Sequence, residues 1–267
     1  MTGIERITNS FQPRRPAFMP YAVLGYPTPE LSLQVVQALV AAGADLLELG
    51  VPFSDPLADG PTIQAATQGA LEKGVTVADC IAMVAALRAR GVETPALLMG
   101  YVNPILAYGI QRFVADSAQA GVDGFIVPDL PPEEAGELEV TCHGQGLALV
   151  YLLAPTSPAN RIRLVAEKSQ GFIYLVSLTG VTGARYALSP SLADFVGRVR
   201  GVTRKPLAVG FGIGSGDQAR AVAQLADGVI VGSALVQRAG RSIDEVHKLA
   251  TELREALDLA AGSTPTG

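Results

Sequence analysis

Glu48 stands where a carboxylate is costly. It lies between Leu47 and Leu49, inside a short apolar run that opens the stretch Gly-Ala-Asp-Leu-Leu-Glu-Leu-Gly-Val-Pro-Phe-Ser-Asp-Pro-Leu-Ala-Asp-Gly-Pro-Thr-Ile-Gln, residues 43–64. A buried, unpaired acid is expensive, and a core strand has no structural need of one. Partial burial would raise its pKa and suit it to passing protons near neutral pH. The run then breaks into a loop punctuated by Gly50, Pro52, Pro56, Gly60 and Pro61, which carries two more acids, Asp55 and Asp59. Asp59 could act on a substrate, start a turn, or cap the helix that follows Pro61. Asp55, in Ser-Asp-Pro, reads more readily as an Asx turn. Asp129, in Pro-Asp-Leu-Pro-Pro, could equally cap its own helix.

A second constellation is rich in glycine. Gly210-Phe-Gly-Ile-Gly-Ser-Gly would let backbone N–H groups at Gly212 and Gly214 come close to a ligand. Gly232-Ser233-Ala234 reads as the start of a short helix, whose free N–H groups and dipole suit an anion. Leu178 to Leu188, with Gly180, Gly183 and Arg185, is long for a connection and could be a lid or an ordered surface loop. His143 and His247 fall in helical segments, so no Ser-His-Asp or Cys-His arrangement forms, and no ligand cluster suggests a metal.

The elements that must position these residues alternate. Apolar runs occur at Phe18 to Leu24, Leu46 to Leu49, Ala96 to Met99, Phe125 to Val127, Leu147 to Tyr151, Phe172 to Val176, Pro206 to Val209 and Val229 to Val231. Segments of helical spacing separate them, at 30–42, 77–90, 109–120, 132–143, 158–168, 191–199, 217–225 and 242–259. Such runs, apolar on both faces, are parallel strands covered by helices. Eight such units predict a closed (β/α)8 TIM barrel, with an open doubly wound sheet as the competing fold. A weak echo marks the re-entry into the sheet: Ala-Gly-Ala-Asp-Leu-Leu-Glu, Ala-Gly-Val-Asp-Gly-Phe-Ile and Leu-Ala-Asp-Gly-Val-Ile-Val. In a barrel, chemistry sits just after each strand. That singles out Glu48, Asp55 and Asp59 after the second run, Asn103 after the third, Asp129 after the fourth, and the glycine-rich ends of the last three.

The 267 residues match one barrel, about 250 residues long. With no linker or shift in composition, the expectation is one domain over 1–267, with a short N-terminal extension at 1–16 and a frayed tail from about 261. Half the chain is hydrophobic and its net charge is −5, which disfavours a nucleic-acid binder. Cys80 and Cys142 lack CxxC spacing and read as reduced packing residues. No apolar run is long enough to span a membrane and no signal peptide is evident, so a cytoplasmic location is expected.

The acidic stretch resembles the signature of the tryptophan synthase alpha subunit family. The likeness extends through Pro20-Tyr-Ala-Val-Leu-Gly-Tyr-Pro, Leu97-Leu-Met-Gly-Tyr-Val-Asn-Pro, Gly121-Val-Asp-Gly-Phe-Ile-Val-Pro-Asp-Leu-Pro, Ser177-Leu-Thr-Gly-Val-Thr-Gly-Ala, Gly210-Phe-Gly-Ile and Val231-Gly-Ser-Ala. The resemblance implies retro-aldol cleavage of indole-3-glycerol phosphate to indole and glyceraldehyde 3-phosphate. It implies that Glu48 is the general acid and base, that Asp59 accepts from the indole N–H, and that Tyr174 stands beside Glu48. Tyr21 falls where many relatives carry phenylalanine, so its ring would pack on the indole with an added hydroxyl. By the same likeness Ile126 and Phe211 line the apolar pocket, and Thr182 is the lid residue that meets Asp59. Gly183, Gly212, Gly232 and Ser233 would hold the phosphate.

The resemblance also implies a partner. Family members join a pyridoxal-phosphate beta subunit in an αββα complex and pass indole to it, with Pro52 and Asp55 on the loop that meets it. The chain itself would need no cofactor or metal, and would be monomeric when alone. Two other readings stay open: a stand-alone lyase that releases free indole, and an idle activator of a beta subunit.

Overall fold

The apolar runs become parallel strands because both their faces are covered. The structure, a computed structural model, describes residues 1–177, 190–210 and 212–261. The strands are β1 (Ala17–Val23), β2 (Leu47–Gly50), β3 (Ala96–Met99), β4 (Gly124–Ile126), β5 (Ala148–Val150), β6 (Leu152–Leu153), β7 (Ile173–Val176), β8 (Leu207–Gly210) and β9 (Gly228–Val231). They pair in parallel in the order β5-β4-β3-β2-β1-β9-β8-β7-β6. The two ends of that order are consecutive in the chain, so the sheet closes on itself as the expected barrel. The fifth run is one barrel strand in two pieces. At Tyr151 the N–H goes to the Ser169 hydroxyl (3.0 Å) rather than to a neighbouring strand, and this interrupts the ladder.

Helices wrap the outside: α1 (Gly3–Asn9), α2 (Pro29–Ala41), α3 (Pro61–Leu71), α4 (Val77–Ala89), α5 (Val102–Tyr108), α6 (Ile110–Ala120), α7 (Gly136–Gly144), α8 (Ala159–Lys168), α9 (Pro190–Arg200), α10 (Gly216–Ala223), α11 (Ser233–Ala239) and α12 (Ile243–Ala261). Their starts follow local chemistry. Thr28 caps α2 ahead of Pro29 at the first turn, and Thr76 with Asp79 forms a capping box on α4. Helix α7 begins four residues later than its spacing predicts. Pro131 and Pro132 supply no N–H, and the Pro132 carbonyl accepts from Lys168 (2.8 Å), so this stretch turns before it winds.

The sequence echo has a structural meaning. Each of its aspartates closes the N-terminal face of the barrel onto the strand before it. Asp45 accepts from the N–H of Phe18, Asp123 from Ala96 and Asp227 from Leu207, each at 2.8 Å. Each is also paired with arginine: Asp45 with Arg15 and Arg254, Asp123 with Arg6 and Arg88, Asp227 with Arg200. The N-terminal extension joins this closure. Helix α1 buries Ile7, and Phe11 packs on Phe172 at 5.4 Å between ring centres. That end of a barrel serves stability, which leaves the opposite end for chemistry.

Candidate active site

Register sets the floor of the site. Tyr21 pairs with Glu48, and Glu48 with Leu97, across three parallel strands. Register partners in a parallel sheet project to the same face. Glu48 is 1 % exposed, and among the described residues neither carboxylate oxygen has a hydrogen-bond partner. Burial, aided by the charge of Asp59, raises its pKa from 4.5 to about 8. The acid therefore keeps its proton at neutral pH, close to the point where it can also give the proton up.

Asp59 comes from the loop after β2. That loop is tied down by Val51 N–H to the Met99 carbonyl (2.8 Å) and by Gln64 Nε2 to the Asp59 carbonyl (2.8 Å). Asp59 does not cap α3, whose N-cap is Gly60 without a side-chain cap. Its half-buried carboxylate instead accepts from Tyr101. The Tyr101 hydroxyl accepts in turn from the N–H of Ala58 (3.0 Å), and its ring lies 5.4 Å from that of Phe53. The N–H thus orients the phenol proton toward the carboxylate. Burial raises the pKa of Asp59, and the bond from Tyr101 offsets part of the rise. Tyr101→Phe should push it higher, as a carboxyl carbon NMR titration would read. It should also cost about 1–3 kcal/mol of stability, since the Ala58 N–H loses its acceptor.

Two tyrosines lean over glycines at strand ends. A Cβ on Gly50 would stand 2.6 Å from Cζ of Tyr21, and one on Gly210 would stand 2.8 Å from Cζ of Tyr174. Both rings need the space that only glycine leaves. Tyr21 and Tyr174 are buried, and burial together with the two carboxylates raises both phenols well above their ordinary pKa. After burial, Asp59 acts most strongly on Tyr21 and Glu48 on Tyr174. The four groups share one electrostatic environment.

Beside them a cleft of about 920 Å3 opens at the C-terminal ends of the strands. Ala58, Met99, Asp129, Tyr151, Val176 and Gly212 are on its wall. It lies to the β4–β6 side of Glu48 and reaches the acids at Ala58, next to Asp59. Gly232 and Ser233 open α11, and the first N–H groups of a helix have no intrahelical acceptor.

The Tryptophan synthase alpha chain family matches residues 7–263. A tryptophan synthase alpha chain of Chloroflexus aggregans is 55% identical over 242 residues, which is 89% of this chain and 91% of that one. One of Dehalococcoides mccartyi is 48% identical over 257 residues, covering 96% of this chain and 100% of the relative. A structure of Mycobacterium tuberculosis tryptophan synthase superposes with a TM-score of 0.88 at 41% identity, over 96% of this chain and 98% of that one. The chain belongs to the tryptophan synthase alpha chain family.

The residues that the family likeness singles out fall as follows. Glu48, Asp59, Tyr21 and Tyr174 come together. Ile126 is fully buried at the end of β4, and its register partner Met99 borders the cleft. Gly212, with φ +78°, lies on the cleft wall. Thr182, Gly183 and Phe211 lie outside the described residues, as do the lid segment 178–188 and the tail beyond 261. Pro52 is buried, whereas Asp55 is exposed and its carboxylate accepts from Ser54 (2.5 Å).

Three expectations change. The Gly214 N–H is held by Gln218 Oε1 (2.7 Å) and does not face a ligand. Asp129 caps α5 through the Val102 N–H (3.0 Å) rather than its own helix. After the third run Asn103 is exposed, and the residue that reaches the site is Tyr101. Its signal was available: an aromatic residue with a polar tip two positions past a strand end.

Cys80 and Cys142 are buried and unpaired, and both histidines are exposed on helices. Among the described residues no helix is long and apolar enough to cross a membrane.

Proposed function

We propose that this chain carries out the alpha reaction, retro-aldol cleavage of indole-3-glycerol phosphate to indole and glyceraldehyde 3-phosphate. The observation that carries the reading is Glu48: a buried carboxyl with no hydrogen-bond partner among the described residues, protonated at neutral pH, with a second carboxylate close enough to raise its pKa. In this reading Glu48 protonates the ring carbon that bears the glycerol chain, and positive charge develops on the ring nitrogen. Asp59, held in place by Tyr101, meets that charge as a preorganised anion. Glu48, now ionised, takes the proton of the carbinol hydroxyl. The carbon–carbon bond breaks, its electron pair restores the indole, and an aldehyde leaves. Tyr174 flanks Glu48 and keeps water away. Gly212, Gly232 and Ser233, with Gly183, hold the phosphate through N–H groups.

The partner is a pyridoxal-phosphate beta chain in an αββα assembly, and this chain needs no cofactor of its own. The face that favours docking is the outer side of the loop after β2. There Leu57 is 88 % exposed, and a hollow of about 560 Å3 is walled by Phe53, Asp55, Pro56, Gln64 and Gln68. Indole release should be measured from indole-3-glycerol phosphate with and without a beta chain. Slow release that the beta chain raises sharply is the expected result. Fast release that the beta chain leaves unchanged would mark a stand-alone lyase. No release from folded protein would overturn the reading.

A further inference from the structure

Asp129 holds the start of a helix that is not its own. At the end of β4 the Leu130 N–H donates to the Val127 carbonyl (3.2 Å), and the turn sets Asp129 half-buried on the cleft wall. There its carboxylate accepts from the Val102 N–H (3.0 Å). Helices α2 and α4 carry their own caps, Thr28 and Thr76. Helix α5 does not, because its N-cap residue is Tyr101, whose side chain makes no cap bond. That side chain is used elsewhere. Its hydroxyl accepts from the Ala58 N–H (3.0 Å) and its ring lies 5.4 Å from that of Phe53, so it grips the loop that carries Asp59 at two points. A side chain holds a loop only as firmly as its own backbone is held. Both neighbours of Tyr101 are tied to the end of β4: the Gly100 N–H to the Ile126 carbonyl (3.1 Å), and the Val102 N–H to Asp129.

A tyrosine at the N-cap requires the cap to come from outside the helix. Resting on the retro-aldol reading above, we infer that Asp129 is a positioning residue for Asp59: by capping α5 it fixes Tyr101, and Tyr101 fixes the Ala58–Asp59 stretch opposite the ring nitrogen of the substrate. Its work is that of an acceptor for one N–H. The path runs from the end of β4, through the start of α5, to the loop after β2, so three successive units of the barrel set one carboxylate.

The test reads the titration of Asp59 by carboxyl carbon NMR, which needs no turnover, together with kcat. Among the described residues the titratable groups that act with Asp59 are Glu48 on β2, Tyr21 on β1, Tyr174 on β7 and Tyr101. Asp129→Ala and Val102→Pro keep all four and remove the cap from either side. Proline suits the first turn of a helix, and Tyr101 already has the extended backbone (φ −104°, ψ 157°) that a residue before proline adopts. Val102→Pro also keeps the Asp129 charge. Both variants should loosen Tyr101, raise the pKa of Asp59 as its bond from Tyr101 is lost, and lower kcat on the order of 10- to 10²-fold. Asp129→Asn caps as well as aspartate, so it should restore the wild-type titration and most of the rate. In a Tyr101→Phe background, Asp129→Ala should lower kcat no further. An Asp59 titration unmoved in both cap variants would overturn the inference, because a weakened α5 alone does not shift it. So would an Asp129→Asn as slow as Asp129→Ala, which would assign the effect to charge, or a full additional loss in the Tyr101→Phe background. If Asp129→Ala does not fold, Val102→Pro and Asp129→Asn decide the matter. Wild-type protein that releases no indole would instead sink the underlying reaction, which separates the two failures.

Discussion

Glu48→Gln yields a protein that binds indole-3-glycerol phosphate, releases no measurable indole and resists unfolding at pH 7 better than the wild type. The loss follows from role. Glutamine keeps the shape of the side chain but can neither give a proton to the ring carbon nor take one from the carbinol. A positioned acid or base contributes about 10²–10⁴-fold, and here one group does both tasks, so the effect should lie at or beyond the upper end. The gain in stability follows from linkage. Below pH 4.5 the carboxyl is protonated whether the chain is folded or not. Between 4.5 and about 8 the unfolded chain has released its proton and the folded chain has not, so stability falls as pH rises. Above that window the loss is complete. At pH 7 it is on the order of 3 kcal/mol, of which glutamine recovers a part because its amide is still polar and buried. Chemical denaturation from pH 5 to 9 measures this. The advantage of the variant should widen with pH and level off near 8. A constant difference would mean that Glu48 is ionised in the folded protein, and the acid role would fail with it.

That cost is why Glu48 was legible from sequence. A carboxylate between two leucines of a strand contradicts its surroundings, and function is the usual reason for such a conflict. The barrel was legible for a related reason, since parallel strands covered on both faces are apolar throughout. Less was legible where partners are distant in sequence. Tyr101 reaches Asp59 across 42 positions: its place two residues past a strand end marks it as a candidate for the site, but nothing local marks Asp59 as its partner. Asp129 sits near its own helix in sequence yet caps α5, because parallel packing sets the end of β4 beside the start of that helix. The break at Tyr151 depends on a hydroxyl 18 residues away. The repeated Asp was visible as an echo, but its work is done by arginines as far along as Arg254. Local chemistry shows in a sequence as conflict or periodicity. Chemistry assembled by the closure of the barrel does not.

Asp59→Asn should bind substrate and lose about 10²–10³-fold in the rate of indole release. The asparagine oxygen can still accept from the indole N–H and from Tyr101, so the loop should hold its place. What it lacks is the charge that meets the ring nitrogen when Glu48 has delivered its proton. Because Asp59 also helps to raise the pKa of Glu48, removing its charge has a second consequence. The rate requires Asp59 ionised and Glu48 protonated, so kcat/KM should be bell-shaped with its alkaline limb near 8 in the wild type. In Asp59→Asn the acid limb due to Asp59 should vanish, and the alkaline limb should move to lower pH as Glu48 becomes easier to ionise. A lowered rate with an unmoved alkaline limb would mean that the two acids do not share a field. A rate near wild type would mean that the charge on the ring nitrogen is met elsewhere. Both shifts together tie the two carboxylates to one proton inventory, with burial setting the pKa of Glu48 and the charge of Asp59 holding its proton in place until the substrate takes it.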